Sequence, residues 1–172
     1  MKGTIVKCME AMVTAKFGPG KWRESLERAG IPEWKTFTML GDVDETEFMR
    51  IMRGVAGAAS LSMEQTTEAF GEYWSTVYAP DVYEAFFSSA KSARELLLNL
   101  DKIHDVMTKS MKSARPPRFR YEWKGVKLLI MHYDSSRGLV SLMPALIRGL
   151  GKYYGEQLTA RVVGNAVHVE FP

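Results

Sequence analysis

His104 is the residue whose chemistry stands out from its surroundings. On a helical reading it shares a face with Leu97, Leu100, Met107 and Met111, at offsets of seven, four, three and seven residues. Two readings are open for an imidazole on such a face. One is a core histidine whose ring nitrogens bond to backbone. The other is a ligand to something apolar, because a neutral imidazole in a dry pocket is a good donor to haem iron. A lone histidine cannot hold a catalytic zinc, which takes three protein ligands. His132 and His168 fall in expected strands and show no ligand spacing with it.

Tyr133, Ser135 and Arg137 form the second group. In an extended strand, alternation puts all three on one side. Two hydroxyls and a guanidinium fork converging there would suit one or two carboxylates. The competing reading is a polar strand-to-helix connection in which Ser135 or Ser136 caps the helix. Other chemistry is thin. The sequence has no Gly-rich phosphate loop before a helix, no nucleophile elbow and no His-Glu-x-x-His helix. Glu45 and Glu47 lie two apart and are expected to face solvent. Cys8, among apolar neighbours, reads as a small buried residue. Lys109, Lys112, Arg115, Arg118 and Arg120 read as a solvated helix end and strand edge.

The elements that must carry these residues follow from periodicity. Ile5, Cys8, Met9, Met12 and Val13 mark an amphipathic helix from about Gly3 to Phe17, stopped by Gly18-Pro19-Gly20. A short helix holds Trp22, Leu26 and Ala29. Asp42 to Glu47 is an acidic helix entry, leading to a face of Phe48, Ile51, Met52 and Val55. Ser62 with Gln65 has the form of a capping box and opens a helix containing Phe70, Trp74 and Val77, which Pro80 interrupts. A long helix is expected from about Ser89 to Ser113. After Pro116-Pro117 the pattern changes to a hairpin, Phe119 to Trp123 and Val126 to Tyr133, turning at Lys124-Gly125. A helix spans Leu139 to Leu158. A second hairpin, Arg161 to Val163 and Ala166 to Phe171, turns at Gly164-Asn165. The class is α+β: a mainly helical part over about 1–115, then hairpin, helix and hairpin over about 116–172. One domain is expected over 1–172.

Composition bounds the function. The 172 residues are 46% hydrophobic and 25% charged, enough for a sizeable core without staples. One cysteine excludes an internal disulfide. A net charge of only +3 gives no reason to expect nucleic acid. No apolar run reaches the roughly 18 residues of a membrane span, and Lys7 and Glu10 break the opening too early for a signal peptide. A soluble, cytoplasmic domain is expected. Eleven Met residues supply soft packing.

Four stretches together resemble the H-NOX family, the haem nitric oxide/oxygen-binding domains related to the haem domain of soluble guanylate cyclase. They are the opening Met1 to Val6, Leu100-Asp101-Lys102-Ile103-His104, Ala114-Arg115-Pro116-Pro117-Arg118, and Tyr133-x-Ser135-x-Arg137, 29 residues after His104. The resemblance implies haem b with His104 as axial ligand and Tyr133, Ser135 and Arg137 on its propionates. It implies that Pro117 distorts the porphyrin, and that Ile5, Met9, Trp74, Tyr78, Leu100, Leu142 and Leu146 line the pocket. Oxygen-binding members place a tyrosine where this chain has Leu142, so the resemblance implies a sensor of nitric oxide that also binds carbon monoxide. Its switch would be release of His104, with the amino-terminal helices shifting in response. The expected listener is a histidine kinase, a cyclic-dinucleotide enzyme or a chemotaxis receptor, in a bacterial cytoplasm, and no catalysis is expected of the domain itself. The alternatives are an oxygen sensor, with Tyr78 or Trp74 as donor, and a haem-free module for an apolar ligand.

Overall fold

The computed structural model describes residues 2–110 and 114–172. Met1 and residues 111–113, which include Met111 of the His104 face and the expected helix end at Ser113, lie outside the described residues. The chain divides into two compact units, Met1–Phe70 and Gly71–Pro172. The division falls inside a helix, not at the change from helix to strand near residue 115.

The first unit is helical. Helix α1 (Thr4–Phe17) buries Val6, Cys8, Met9, Met12 and Val13, the stripe its periodicity predicts. Gly18, at φ 86°, breaks it, and Pro19, needing no N–H partner in a first turn, opens α2 (Pro19–Arg28). Asp44 caps α3 (Glu45–Ala59), its carboxylate accepting from the Thr46 and Glu47 amides at 2.8 and 3.4 Å. Glu47, expected in solvent, is a half-buried partner of Lys35. Both bonds of the Ser62–Gln65 capping box are present, at 2.8 and 3.0 Å, at the start of α4 (Met63–Tyr73). Cys8 is fully buried, and burial pushes its thiol pKa upward, so it stays a neutral packing group.

In the second unit, Pro80 does not interrupt the helix. The chain passes from α4 through a π turn (Trp74–Tyr78) into α5 (Ala79–Val82), and stops at Tyr83. Pro80 has no N–H to give and crowds the carbonyl four residues back. A wider turn, in which the Ala79 N–H reaches the Trp74 carbonyl, accommodates it. A short helix α6 (Glu84–Ser89) follows, and the expected long helix starts a few residues later than Ser89, as α7 (Ala93–Ser110). Ser92 opens α7 by accepting from the Glu95 N–H at 3.1 Å, and the Glu156 carboxylate accepts from the Ala93 N–H at 2.9 Å.

Strands β1 (Arg118–Lys124) and β2 (Leu128–Asp134) form the first hairpin, and β3 (Thr159–Val163) and β4 (Ala166–Glu170) the second. They make one antiparallel sheet in the order β1-β2-β4-β3. Between the hairpins, a 3-10 turn (Val140–Leu142) leads into α8 (Met143–Tyr154), which Gly155 ends at φ 70°, short of the expected Leu158. One sheet face carries Phe119, Leu129, Met131, Tyr133, Val167 and Val169, packed on Leu96 and Leu97 of α7 and Ile147 and Leu150 of α8. This α+β arrangement is the one the sequence pattern implies.

The π turn sits against α8 at van der Waals limits. A Cβ on Gly149 would lie 2.6 Å from the Gly71 carbonyl oxygen and 3.0 Å from Ser75 Cβ. Gly149→Ala should therefore cost about 1–3 kcal/mol by overpacking, read as a lower urea midpoint. Gly20→Ala, where nothing lies within 4 Å, is the control. Equal midpoints for the two variants would show that the approach is looser than drawn.

Candidate functional site

Helix α7 presents Leu97, Leu100 and His104 on one face, as the spacing predicts. His104 Nδ1 lies 2.7 Å from the Pro117 carbonyl oxygen. A carbonyl only accepts, so Nδ1 carries the proton and Nε2 carries the lone pair. Burial lowers the imidazole pKa, outweighing the Pro117 hydrogen bond and the Asp101 charge, which push the other way. The ring is a neutral base held in one tautomer. Phe119 lies beside it, ring centroids 5.8 Å apart, and Tyr133 meets Phe119 edge-on at 5.9 Å. Phe119 and Tyr133 are cross-strand partners in the β1–β2 register, so the hairpin sets this row of rings.

Tyr133 is 4% exposed. Its backbone is fixed on both sides: its N–H donates to the Asn165 carbonyl at 3.0 Å, and its carbonyl accepts from Asn165 Nδ2 at 2.6 Å. Strand β2 ends at Asp134, so alternation does not extend to Ser135 and Arg137. A serine turn does the positioning instead. Ser135 Oγ accepts from the Arg137 N–H at 3.3 Å, and Gly138, at φ 65°, redirects the chain toward Leu142. Neither serine caps the following helix, whose flanking residues Leu139 and Leu142 make no side-chain cap bond.

Leu142 is 6% exposed and ends the 3-10 turn, with Leu146 one turn further along α8. Ser75 Oγ donates to the Leu146 carbonyl at 2.8 Å and ties the π turn to α8 at that level. Trp74 and Tyr78, both half-buried on the π turn, lie with ring centroids 5.7 Å apart. Leu100 is half-buried on α7. In the other unit, Ile5 is half-buried and Met9 fully buried, one turn apart on α1.

A cluster beside His104 joins α7 to β1. Arg118 grips Asp101 with Nε on Oδ1 and NH2 on Oδ2, both at 2.7 Å, and the Phe119 N–H donates to Oδ1 at 2.8 Å. Arg118 NH1 also lies 3.5 Å from Asp105. Arg118 is exposed at the start of edge strand β1, as expected, and there it is also half of a forked ion pair. Its guanidinium holds the Asp101 carboxyl at about 2.

Among the described residues no group of three or more His, Cys, Asp or Glu side chains could hold a metal ion. A metal at His104 would need its other ligands supplied by a bound group. A porphyrin meets that requirement, and a neutral imidazole with the lone pair on Nε2 is chemically suited to its iron. The profile of the family described as Haem-NO-binding matches residues 2–162.

The chain belongs to the Haem-NO-binding family.

It is an H-NOX domain, a haem-based gas sensor and not itself a catalyst. It is 32% identical over 152 residues to soluble guanylate cyclase gcy-37 of Caenorhabditis elegans, covering 86% of this chain and 22% of that protein. It is 28% identical over 92 residues to guanylate cyclase soluble subunit beta-2 of Rattus norvegicus, covering 52% and 14%. The chain thus spans less than a quarter of the length of these curated relatives. An H-NOX protein from S. oneidensis in the Fe(II)NO ligation state shares its fold at TM-score 0.87 and 19% identity, covering 100% of this chain and 99% of that one. An oxygen-binding H-NOX domain does so at TM-score 0.79 and 23% identity, covering 99% and 95%. Among the described residues no helix is long and apolar enough to cross a membrane.

Two partners of helix α7, Arg118 and Tyr121, were missed by the sequence reading. Asp101 and Arg118 carry opposite charges inside the recognised motifs, a signal that would have paired them. Tyr121 gave no signal. The ion pair has a pH signature. The folded-state pKa of Asp101, about 2, lies below its ordinary 3.8. Its contribution is therefore complete above about pH 4 and lost as pH falls toward 2. Asp101→Asn should lower stability by about 1 kcal/mol at pH 6, allowing for solvent screening, and the gap in urea midpoint should close by pH 2. A gap independent of pH would mean the pair does not act through charge.

Proposed function

We propose that this H-NOX domain binds haem b through His104 and reports nitric oxide by letting His104 go. The observation that carries the reading is the 2.7 Å hydrogen bond from Nδ1 to the Pro117 carbonyl, which leaves Nε2 as a basic, oriented nitrogen. Haem bound there would supply a ferrous iron able to take up nitric oxide or carbon monoxide, with His104 as its protein ligand. His104, once released, stays tethered at Nδ1, so its movement is shared by α7 and by the Pro117 segment. Pro117, next to that tether, presses on the porphyrin. Tyr133, Ser135 and Arg137 hold the propionates. Ser135 Oγ accepts from the Arg137 amide and keeps its own proton to donate.

Leu142 and Leu146 offer bound gas no hydrogen-bond donor, which disfavours oxygen, whose bound form carries partial negative charge. Trp74, Tyr78 and Leu100 supply more of the pocket wall. The gas shifts an existing equilibrium by its differential affinity for the two states of His104. The listener is a histidine kinase, a cyclic-dinucleotide enzyme or a chemotaxis receptor, and the names of the relatives add a guanylate cyclase module to that set.

An absorption spectrum of the reduced protein, then in air, then with nitric oxide, tests the gas. The expected result is a five-coordinate ferrous spectrum unchanged by air that becomes a different five-coordinate spectrum with nitric oxide. A stable oxygen complex would transfer the role to oxygen, with Tyr78 or Trp74 as the donor. A colourless protein that cannot be reconstituted would return the chain to an apolar-ligand module. Arg137→Ala removes a charge-assisted bond worth about 1.5–3 kcal/mol, so haem transfer to an acceptor protein should be about ten- to a hundredfold faster. An unchanged rate would free Arg137 from the propionates.

A further inference from the structure

Leu97, Asp101 and His104 stand at i, i+4 and i+7, one face of α7, and each meets the first hairpin at a different polar contact. Furthest from His104, the Tyr121 hydroxyl of β1 accepts from the Asp101 N–H at 3.2 Å and donates to the Leu97 carbonyl at 2.8 Å. Those two groups are the i and i−4 partners of a single helical rung, so a strand side chain is inserted into the helix ladder. One turn on, the Asp101 carboxylate takes the Arg118 fork and the Phe119 N–H. The next residue back along the strand segment is Pro117, whose carbonyl holds His104 Nδ1. The imidazole's acceptor is therefore fixed by contacts made upstream on the same helix face. Burial, helped by the nearby Asp101 charge and opposed by the Asp101 N–H bond, pushes the Tyr121 hydroxyl up to about 12, so it stays a neutral donor and acceptor.

We propose that Tyr121 and Asp101 are positioning residues for the axial histidine, holding the Pro117 carbonyl on Nδ1–H and so setting how strongly Nε2 binds iron. This rests on His104 being the axial ligand. A hydrogen bond from Nδ1 raises the basicity of Nε2. Loosening either contact lets the carbonyl drift, weakens that bond and makes the iron–histidine bond easier to break. Tyr121 touches neither the ligand nor the gas and acts only through α7 and β1.

The test is the iron–histidine stretching band in the resonance Raman spectrum of the ferrous, haem-loaded protein, with thermal melting recorded beside it. Wild type should show the band, and His104→Gly should lose it once the imidazole used to load haem has been washed out. Tyr121→Phe, which keeps the ring, and Asp101→Asn should each move it to lower frequency and raise the five-coordinate share after nitric oxide. If Tyr121→Phe fails to fold, Asp101→Asn carries the test. Variants that melt earlier but keep the wild-type band frequency would overturn the positioning role and leave His104 as the ligand. A wild type without the band, or a His104→Gly protein that retains it, would overturn the axial assignment and this inference with it.

Discussion

The hydrogen bond from His104 Nδ1 to the Pro117 carbonyl is the interaction around which this molecule is arranged, because it decides three things about one ring. It fixes the tautomer, it fixes the ring plane, and it sets the basicity of the nitrogen that faces away. Each needs the acceptor to be backbone, since a carbonyl cannot take a proton and invert the assignment. The acceptor also has to stay still, and a residue between Pro116 and Arg118 does so for two reasons. Proline removes backbone freedom, and Arg118 is pinned to α7 by a forked ion pair.

The electrostatics of that corner oppose each other, and burial wins. A carboxylate three residues away would draw a proton onto an exposed imidazole. Here desolvation is the larger effect, and Arg118 neutralises much of the Asp101 charge before it reaches the ring. The ion pair thus does two jobs with one geometry: it holds the helix to the strand and keeps the nearby negative charge from making His104 a cation. A protonated His104 could not donate Nε2 to iron. The neutral ring is a consequence of burial, with Phe119 packed beside it, and it persists against the Pro117 hydrogen bond, which favours the charged form.

How much of this was legible in the sequence depends on the range of the interaction. The stripe of α1, the Ser62–Gln65 box and the Gly164-Asn165 hairpin are local and were read residue by residue. His104 was placed on its correct face by spacing, while the choice between core histidine and ligand came from the resemblance. Both readings turned out to share one fact, since the ring does bond to backbone. The helix through Pro80 was misread because a π turn depends on what the helix packs against, and α8 approaches at Gly71, Ser75 and Gly149. The alternation of Tyr133, Ser135 and Arg137 assumed extension past the end of β2, which the Ser135 turn replaces within three residues. Tyr121 was invisible because its partners lie 20 and 24 residues back in the chain.

The same sheet-and-helix unit carries two sets of contacts that need not respond together. On α8, Leu142 and Leu146 are held by the 3-10 turn and by Ser75, with close backbone packing that leaves little room to adjust. On α7, the His104 ring is held by a hydrogen bond that it donates to the Pro117 carbonyl just before β1, and that bond breaks and reforms without opening a cavity. Packing resists small displacements steeply, whereas a hydrogen bond tolerates a few tenths of an ångström. Under the proposed function, a wall that rejects oxygen would benefit from the first kind of constraint, and a ligand that leaves would benefit from the second. The sequence divides these constraints accordingly: glycines and aliphatics on the α8 side, and Asp101, Arg118 and Tyr121 on the α7 side.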